Sequence, residues 1–105
     1  MLYEKGNMNV VIEDEYLVRL INGIRQKPKY PIHVERKFVM RINQIRIAEN
    51  ENYLRGVKSL HFEKLNGDRS GKYSIRVIDG WRIIFRIEKD EIKILVIEEL
   101  SNHYK

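Results

Sequence analysis

Residues 73–87 decide the fold of this chain, and they read YSIRVIDGWRIIFRI. On both sides of Asp79-Gly80, apolar residues alternate with polar or charged residues, which is the period of two that side chains follow along a β-strand. Asp-Gly is a frequent two-residue turn between paired strands. The stretch therefore predicts two antiparallel strands with a tight connection at residues 79–81.

The length of this connection decides on which face of the sheet the arginines lie. Opposed residues of antiparallel strands share a face, so a regular two-residue turn would set Arg76 opposite Ile83 and Val77 opposite Arg82. One arginine would then lie in the core, where an unpaired charge costs several kcal/mol. We therefore predict an odd-numbered loop, or a bulge near residues 79–81, which pairs Val77 with Ile83.

With such a connection, one face of the sheet is apolar and the other is cationic. The apolar, buried face consists of Tyr73, Ile75, Val77, Ile83 and Phe85. The opposite face carries Ser74, Arg76, Arg82 and Arg86. These arginines either form a phosphate-binding patch or provide the charge that commonly protects exposed strands from aggregation.

Two amphipathic helices are predicted before the sheet. Apolar residues at helical spacing predict the first over residues 15–26, with Asp14 as its N-cap, and the second over residues 32–49. The basic residues of the second helix lie off its apolar stripe and predict a solvated face rather than RNA contact; they are Arg36, Lys37, Arg41 and Arg46.

The remaining segments complete an α+β fold. Asn9–Ile12 predicts a first strand, and the polar residues 50–57 predict a loop or turn. Residues 92–97 are apolar on both faces, so this strand should be interior or covered on both sides. We expect one domain over residues 1–105, with 1–7 a possible extension: two N-terminal helices packed on an antiparallel sheet of about four strands.

Composition limits the class of function. The net charge is +5, and between Lys64 and Arg86 six basic residues stand against two acidic ones. This surplus favours a polyanion or an acidic protein as partner, although it also serves solubility. The absence of cysteine excludes disulfides and thiolate chemistry and suits the cytoplasm, the three histidines do not predict a metal site, and no apolar run predicts a membrane span.

Several motifs resemble the HigB group of the RelE/ParE superfamily, the toxins of type II toxin–antitoxin modules. Residues 62–68 read FEKLNGD, residues 73–76 read YSIR, residues 81–85 read WRIIF, and the chain ends ELSNHYK. The similarity spans about residues 8–105. It departs at Phe62, where the family has leucine, and at Ser74, where RelE itself has lysine.

The resemblance implies a RelE-like fold, similar to small microbial ribonucleases, and a ribosome-dependent endoribonuclease that cuts translated mRNA. It implies no metal and no cofactor. The implied partners are the ribosome with its mRNA and a cognate antitoxin, a HigA-like helix-turn-helix protein. It implies no membrane contact, and DNA contact only through the antitoxin complex.

Metal-free RNA cleavage needs a base for the 2′-OH, cations for the phosphate and an acid for the 5′-oxygen. The resemblance places phosphate contacts at Arg76 and Arg82, whose planar guanidinium groups can each bind two oxygens. It places the acid and base among His61, His103 and Tyr104. It also assigns contacts with RNA or the ribosome to Lys64, Arg69, Lys72 and Arg86.

The catalytic assignment leaves alternatives open. HigB members often end in Asp-Tyr-His, whereas Asn102 precedes His103 and Tyr104 here, so the base and the acid are not distinguished. His61 could be an ordinary surface histidine, and the last residues an unstructured end. The competing function is a ParE-like, non-enzymatic inhibitor of DNA gyrase on the same fold, and a third is an inactive relative or a plain RNA-binding module.

Overall fold

The computed structural model describes residues 8–102. Its principal helices and strands follow one another along the chain as β1 (Asn9–Ile12), α1 (Glu15–Ile21), α2 (Ile32–Ile47), α3 (Glu51–Gly56), β2 (Glu63–Lys64), β3 (Tyr73–Ile78), β4 (Trp81–Lys89) and β5 (Lys93–Asn102). None of the helices in this part of the chain is long and apolar enough to cross a membrane.

The strands form one five-stranded sheet in the order β1-β5-β4-β3-β2. The α+β class is confirmed, and so is the interior position of β5. The expectation of an antiparallel sheet of about four strands is wrong on two points. The two-residue β2 is an additional, fifth strand, and the predicted first strand β1 runs parallel to β5, with Asn9 opposite Ile94. The period of a strand shows which side chains share a face but contains no information on strand direction.

The helices differ from the prediction at their ends and in number. α1 ends at Ile21 rather than near residue 26, since Gly23 takes a left-handed φ of 73° that stops the helix. The predicted apolar stripe of α2 is confirmed, since the four residues that form it are fully buried: Val34, Phe38, Ile42 and Ile45.

The loop expected over residues 50–57 is wrong, because residues 51–56 form α3. The Asn50 side chain accepts a hydrogen bond of 2.9 Å from the Tyr53 N–H and caps the helix. Leu54 is fully buried and anchors this short helix on the core.

The core lies between the helices and one face of the sheet. It includes the predicted apolar face, in which Ile75, Val77, Ile83 and Phe85 are at most 1% exposed and Tyr73 packs against them. The opposite face, turned away from this core, is called the open face below. Arg76, Arg82 and Arg86 lie on it, as the alternation along β3 and β4 requires.

A bulge in β3 produces this arrangement. The two-residue turn Asp79-Gly80 pairs Ile78 with Trp81, and a register shift at Val77 then pairs Arg76 with Arg82. The shared face of the arginines is confirmed, whereas the odd connection predicted near residues 79–81 is wrong. The predicted pairing of Val77 with Ile83 is wrong, since Ile75 occupies that position: the extra residue lies within β3 and not in the connection.

Candidate functional site

Two arginines face each other directly at one end of the open face. Arg76 and Arg82 are cross-strand partners, which places their Cβ atoms roughly 5 Å apart. Arg76 is partly exposed, and its side chain makes no hydrogen bond or ion pair with the residues that the structure describes. Its guanidinium is thus available to an external anion. We call these two residues the arginine pair.

Arg82 is held by its own chain. Its Nε donates a 2.7 Å hydrogen bond to the Ser74 hydroxyl, and its Nη2 donates to the backbone carbonyl of His61. Nη2 also lies 3.8 Å from a carboxylate oxygen of Glu63. With only 13% of its side chain exposed, Arg82 has a fixed orientation beside the freer Arg76.

Ser74 has a role that the sequence did not reveal. It is fully buried, and its hydroxyl is the acceptor that orients Arg82. A lysine here, as in RelE, would place a second cation against that guanidinium. The sequence could have indicated this role, because the alternation along β3 places Ser74 on the same face as the arginine pair.

The backbone of His61 contacts the arginine pair, because its carbonyl accepts a hydrogen bond from Arg82. His61 follows the 3₁₀ turn Lys58–Leu60 and adopts the left-handed conformation, with φ 46° and ψ 55°. This conformation is uncommon for residues with a side chain, although histidine is among those that tolerate it. The carbonyl thus accepts from Arg82, while the residue itself is exposed.

The two C-terminal candidates, His103 and Tyr104, lie outside the described residues. Strand β5 is described to Asn102, which is opposite Trp81, and Ser101 is opposite Arg82. The last described residues of the chain therefore lie at the same end of the sheet as the arginine pair.

The four residues assigned to RNA or ribosome contact have different surroundings. Lys64 is exposed and has no ion pair within the described part of the chain. Arg69 lies 3.3 Å from a carboxylate oxygen of Glu99, and Lys72 lies 2.6 Å from one of Glu98. Lys64 is therefore open to an external phosphate, whereas Arg69 and Lys72 already have anionic partners.

Arg86 is surrounded by three carboxylates. Its guanidinium nitrogens lie 2.9 Å from Glu13, 2.7 Å from Glu98 and 2.9 Å from Glu88. These hydrogen bonds raise the pKa of Arg86. Burial would raise the pKa of Glu98, but the hydrogen bonds from Lys72 and Arg86 outweigh burial and lower that pKa.

We call this group of charges the Arg86 network. Arg69 and Glu99 form a separate ion pair. The network has two cations and three carboxylates, namely Lys72, Arg86, Glu13, Glu88 and Glu98. The cations are close in sequence, but Glu13 is 73 residues from Arg86. The network is thus locally acidic by one charge, although the sequence around its cations is basic.

The open face therefore has two chemically different ends. The arginine pair can bind a phosphate and stabilise the charge that develops on it during cleavage. His61 lies beside the pair and could supply proton transfer. Within residues 8–102 there is no cluster of three or more His, Asp or Glu side chains placed to hold a metal ion.

Comparison with known families gives one match over most of the chain. The model of the RelE-like toxin of the type II toxin–antitoxin system HigB matches residues 11–99. An uncharacterized protein of Haemophilus influenzae is 30% identical over 88 residues, which cover 84% of this chain and 87% of that protein.

Solved structures with a similar fold include proteins named as toxins. A YoeB/ParE toxin from Agrobacterium tumefaciens is 18% identical with a TM-score of 0.54, over 92% of this chain and 100% of that chain. The YoeB–YefM complex from Staphylococcus aureus contains a chain that is 18% identical with a TM-score of 0.51, over 92% of this chain and 98% of that chain. The YoeB dimer from the same organism is 18% identical with a TM-score of 0.52, over 93% of this chain and 99% of that chain. At this identity the likeness concerns the fold.

Proposed function

The chain belongs to the HigB family of RelE-like toxins of type II toxin–antitoxin systems, and from this premise we propose that it is an endoribonuclease that cleaves mRNA during translation. The reaction is attack of a ribose 2′-OH on the adjacent phosphate, with no metal. The site of action is the ribosome, in the cytoplasm.

The observation that carries this proposal is the arginine pair. Two guanidinium groups on neighbouring strands can contact different oxygens of one phosphate and stabilise its extra negative charge in the transition state. Arg76 has no internal partner to give up among the described residues. Because Ser74 and the His61 carbonyl orient Arg82, this member of the pair is in place before RNA arrives.

The acid and the base are proposed from His61, His103 and Tyr104. An imidazole can accept and donate a proton at physiological pH, and the backbone contact to Arg82 keeps His61 next to the cations. The pH dependence of the cleavage rate in each single variant assigns the two roles. Loss of the base removes the acidic limb of the bell-shaped profile, and loss of the acid removes the basic limb.

Further RNA or ribosome contacts are proposed for Lys64, Arg69, Lys72 and Arg86. Lys64 can make such a contact directly, because it is exposed and unpaired within the described residues. The other three would have to exchange a carboxylate for a phosphate. We therefore expect Lys64 to contribute more to RNA affinity than each of them.

The proposed protein partner is an antitoxin. The solved YoeB–YefM complex joins a toxin of this fold to its antitoxin, and a net charge of +5 suits an acidic binding segment. We propose a HigA-like helix-turn-helix protein as the antitoxin, with DNA bound only through the complex.

The decisive experiment maps the 5′ ends of cellular transcripts after expression of the toxin. Cuts within translated codons that disappear in Arg76→Ala would support the proposal. Arg76→Ala is cleaner than Arg82→Ala, because Arg82 also satisfies the buried Ser74 hydroxyl. Arg46→Ala is the control, since Arg46 is exposed on α2 and makes no hydrogen bond or ion pair with described residues. Intact transcripts with arrested gyrase would instead identify a ParE-like inhibitor.

A further inference from the structure

Arg41 of helix α2 contacts the backbone of β3 at the bulge. Its Nε donates a hydrogen bond of 3.0 Å to the carbonyl of Arg76, and its Nη2 donates one of 3.0 Å to the carbonyl of Val77. In a regular strand, successive carbonyls point to opposite edges, so one guanidinium could not reach both. The bulge at Val77 turns these two carbonyls toward the same donor.

The remaining nitrogen of this guanidinium is also held. Nη1 donates a 2.9 Å hydrogen bond to the side-chain oxygen of Gln44, on the same helix. Arg41 is therefore fixed at three points, with its fork aimed at the bulge. The planar geometry of arginine suits this arrangement, whereas the single ammonium of lysine cannot reproduce it.

Arg41 contacts β3 although both its burial and the neighbouring charge of Arg76 disfavour a cation there. Burial and, after it, the positive charge of Arg76 lower the pKa of Arg41. Placing this cation beside Arg76 costs free energy, which the two hydrogen bonds to the carbonyls offset. A solvated arginine, as the sequence predicts, would have no reason to approach Arg76.

The bulge is the feature that aligns the proposed site. Without the extra residue, the turn Asp79-Gly80 would set Arg76 opposite Ile83, and one arginine would face the core. We propose that Arg41 is a positioning residue: it holds the bulge at Val77 and thereby keeps Arg76 opposite Arg82. This inference rests on the proposed cleavage of mRNA for its functional part only.

The test compares Arg41→Lys, which keeps the charge and loses the fork, with Arg41→Met, which loses both. Arg46→Lys and Arg46→Met are matched controls on the same helix, because Arg46 is exposed and has no hydrogen bond or ion pair within residues 8–102. The measurements are amide hydrogen exchange of residues 77–82, the melting temperature, and the single-turnover rate and affinity for mRNA in a reconstituted translating ribosome.

In Arg41→Lys we expect exchange at residues 77–82 to increase by about tenfold, which is the loss of roughly one hydrogen bond to a charged donor. The cleavage rate should fall by about tenfold because the arginine pair is misaligned, while RNA affinity stays within about twofold. Arg41→Met should lose affinity as well, and both Arg46 variants should behave like the parent.

Three results would overturn the proposal. Parental exchange and rate in Arg41→Lys would mean that only the charge matters. Slower cleavage with parental exchange would mean that Arg41 touches RNA itself. Equal effects in the Arg46 variants would mean that any change on α2 suffices. If the parent cuts no mRNA, the proposed function fails, and the exchange data still decide whether Arg41 holds the bulge. If Arg41→Met does not fold, the comparison of Arg41→Lys with Arg46→Lys is sufficient to decide the question.

Discussion

The two ends of the open face carry the same kind of residue in opposite electrostatic states. At one end Arg76 has no anionic partner among the described residues, and Arg82 donates hydrogen bonds to two neutral acceptors, the Ser74 hydroxyl and the His61 carbonyl. At the other end Arg86 is bound by three carboxylates. An arginine that is already neutralised stabilises the fold, whereas one without a partner attracts a ligand.

This difference changes how the basic segment 64–86 is interpreted. Counted along the chain, its cations form one positive patch. In the structure, Arg69, Lys72 and Arg86 are paired with carboxylates of other segments. Among the described cations of this segment, Lys64 and the guanidinium of Arg76 have no anionic partner, so the proposed RNA contact is expected first at these two residues.

The largest expected effect is a difference in the rate of mRNA cleavage between variants at the two ends of the open face. Arg76→Ala should reduce the rate of mRNA cleavage by about a hundredfold or more, because it removes a cation from the transition state. Arg86→Ala should leave the rate within about twofold. Single-turnover cleavage in a translating ribosome measures both. Equal losses in the two variants would contradict the division of the open face.

The next effect concerns stability and is expected in the reverse order. Arg86→Met leaves Glu13, Glu88 and Glu98 close together without their shared cation, so the melting temperature should fall by several degrees. Arg76→Met should change it little, since Arg76 has no ion pair within the described residues. Thermal unfolding followed by circular dichroism checks this, and a more stable Arg86→Met protein would argue against a structural network.

A smaller effect should appear in the salt dependence of RNA binding. Each phosphate contact with single-stranded RNA contributes about 0.7 to the slope of log affinity against log salt. Lys64→Ala and Arg76→Ala should each lower the slope by about that amount. Lys72→Ala should lower the slope by less, because Lys72 is paired with Glu98 and has to exchange this carboxylate for a phosphate. An equal reduction in Lys72→Ala would contradict the stronger contribution expected of Lys64.

The smallest effect is the response of stability to acid. Lys72 and Arg86 hold the pKa of Glu98 below its ordinary value of 4.5, against the opposing effect of burial. The unfolded chain therefore binds a proton that the folded chain lacks, and the parent loses stability as pH falls from about 4.5 through the lower folded pKa. Glu98→Gln should show a shallower decline in urea unfolding. Glu49→Gln, an exposed and unpaired position among the described residues, is the control.

Much of the site could be predicted because it depends on local pattern. The alternation along β3 and β4 required an extra residue to keep Arg76 and Arg82 out of the core, and the bulge at Val77 provides it. The pattern did not locate the bulge, since an extra residue in the strand or in the loop has the same effect on parity. It also assigned no function to Ser74, whose role is defined by its contact with Arg82.

The sequence by itself determined the strands β1, β3, β4 and β5, the stripe of α2 and the common face of the arginines, because backbone geometry ties side-chain direction to spacing along the chain. Tertiary structure decided the parallel pairing of β1 with β5, the contact of Arg41 with the bulge and the neutralisation of Arg86 by Glu13. These features join residues 35 to 85 positions apart. Their energies depend on distances in space, to which no periodicity of the sequence corresponds.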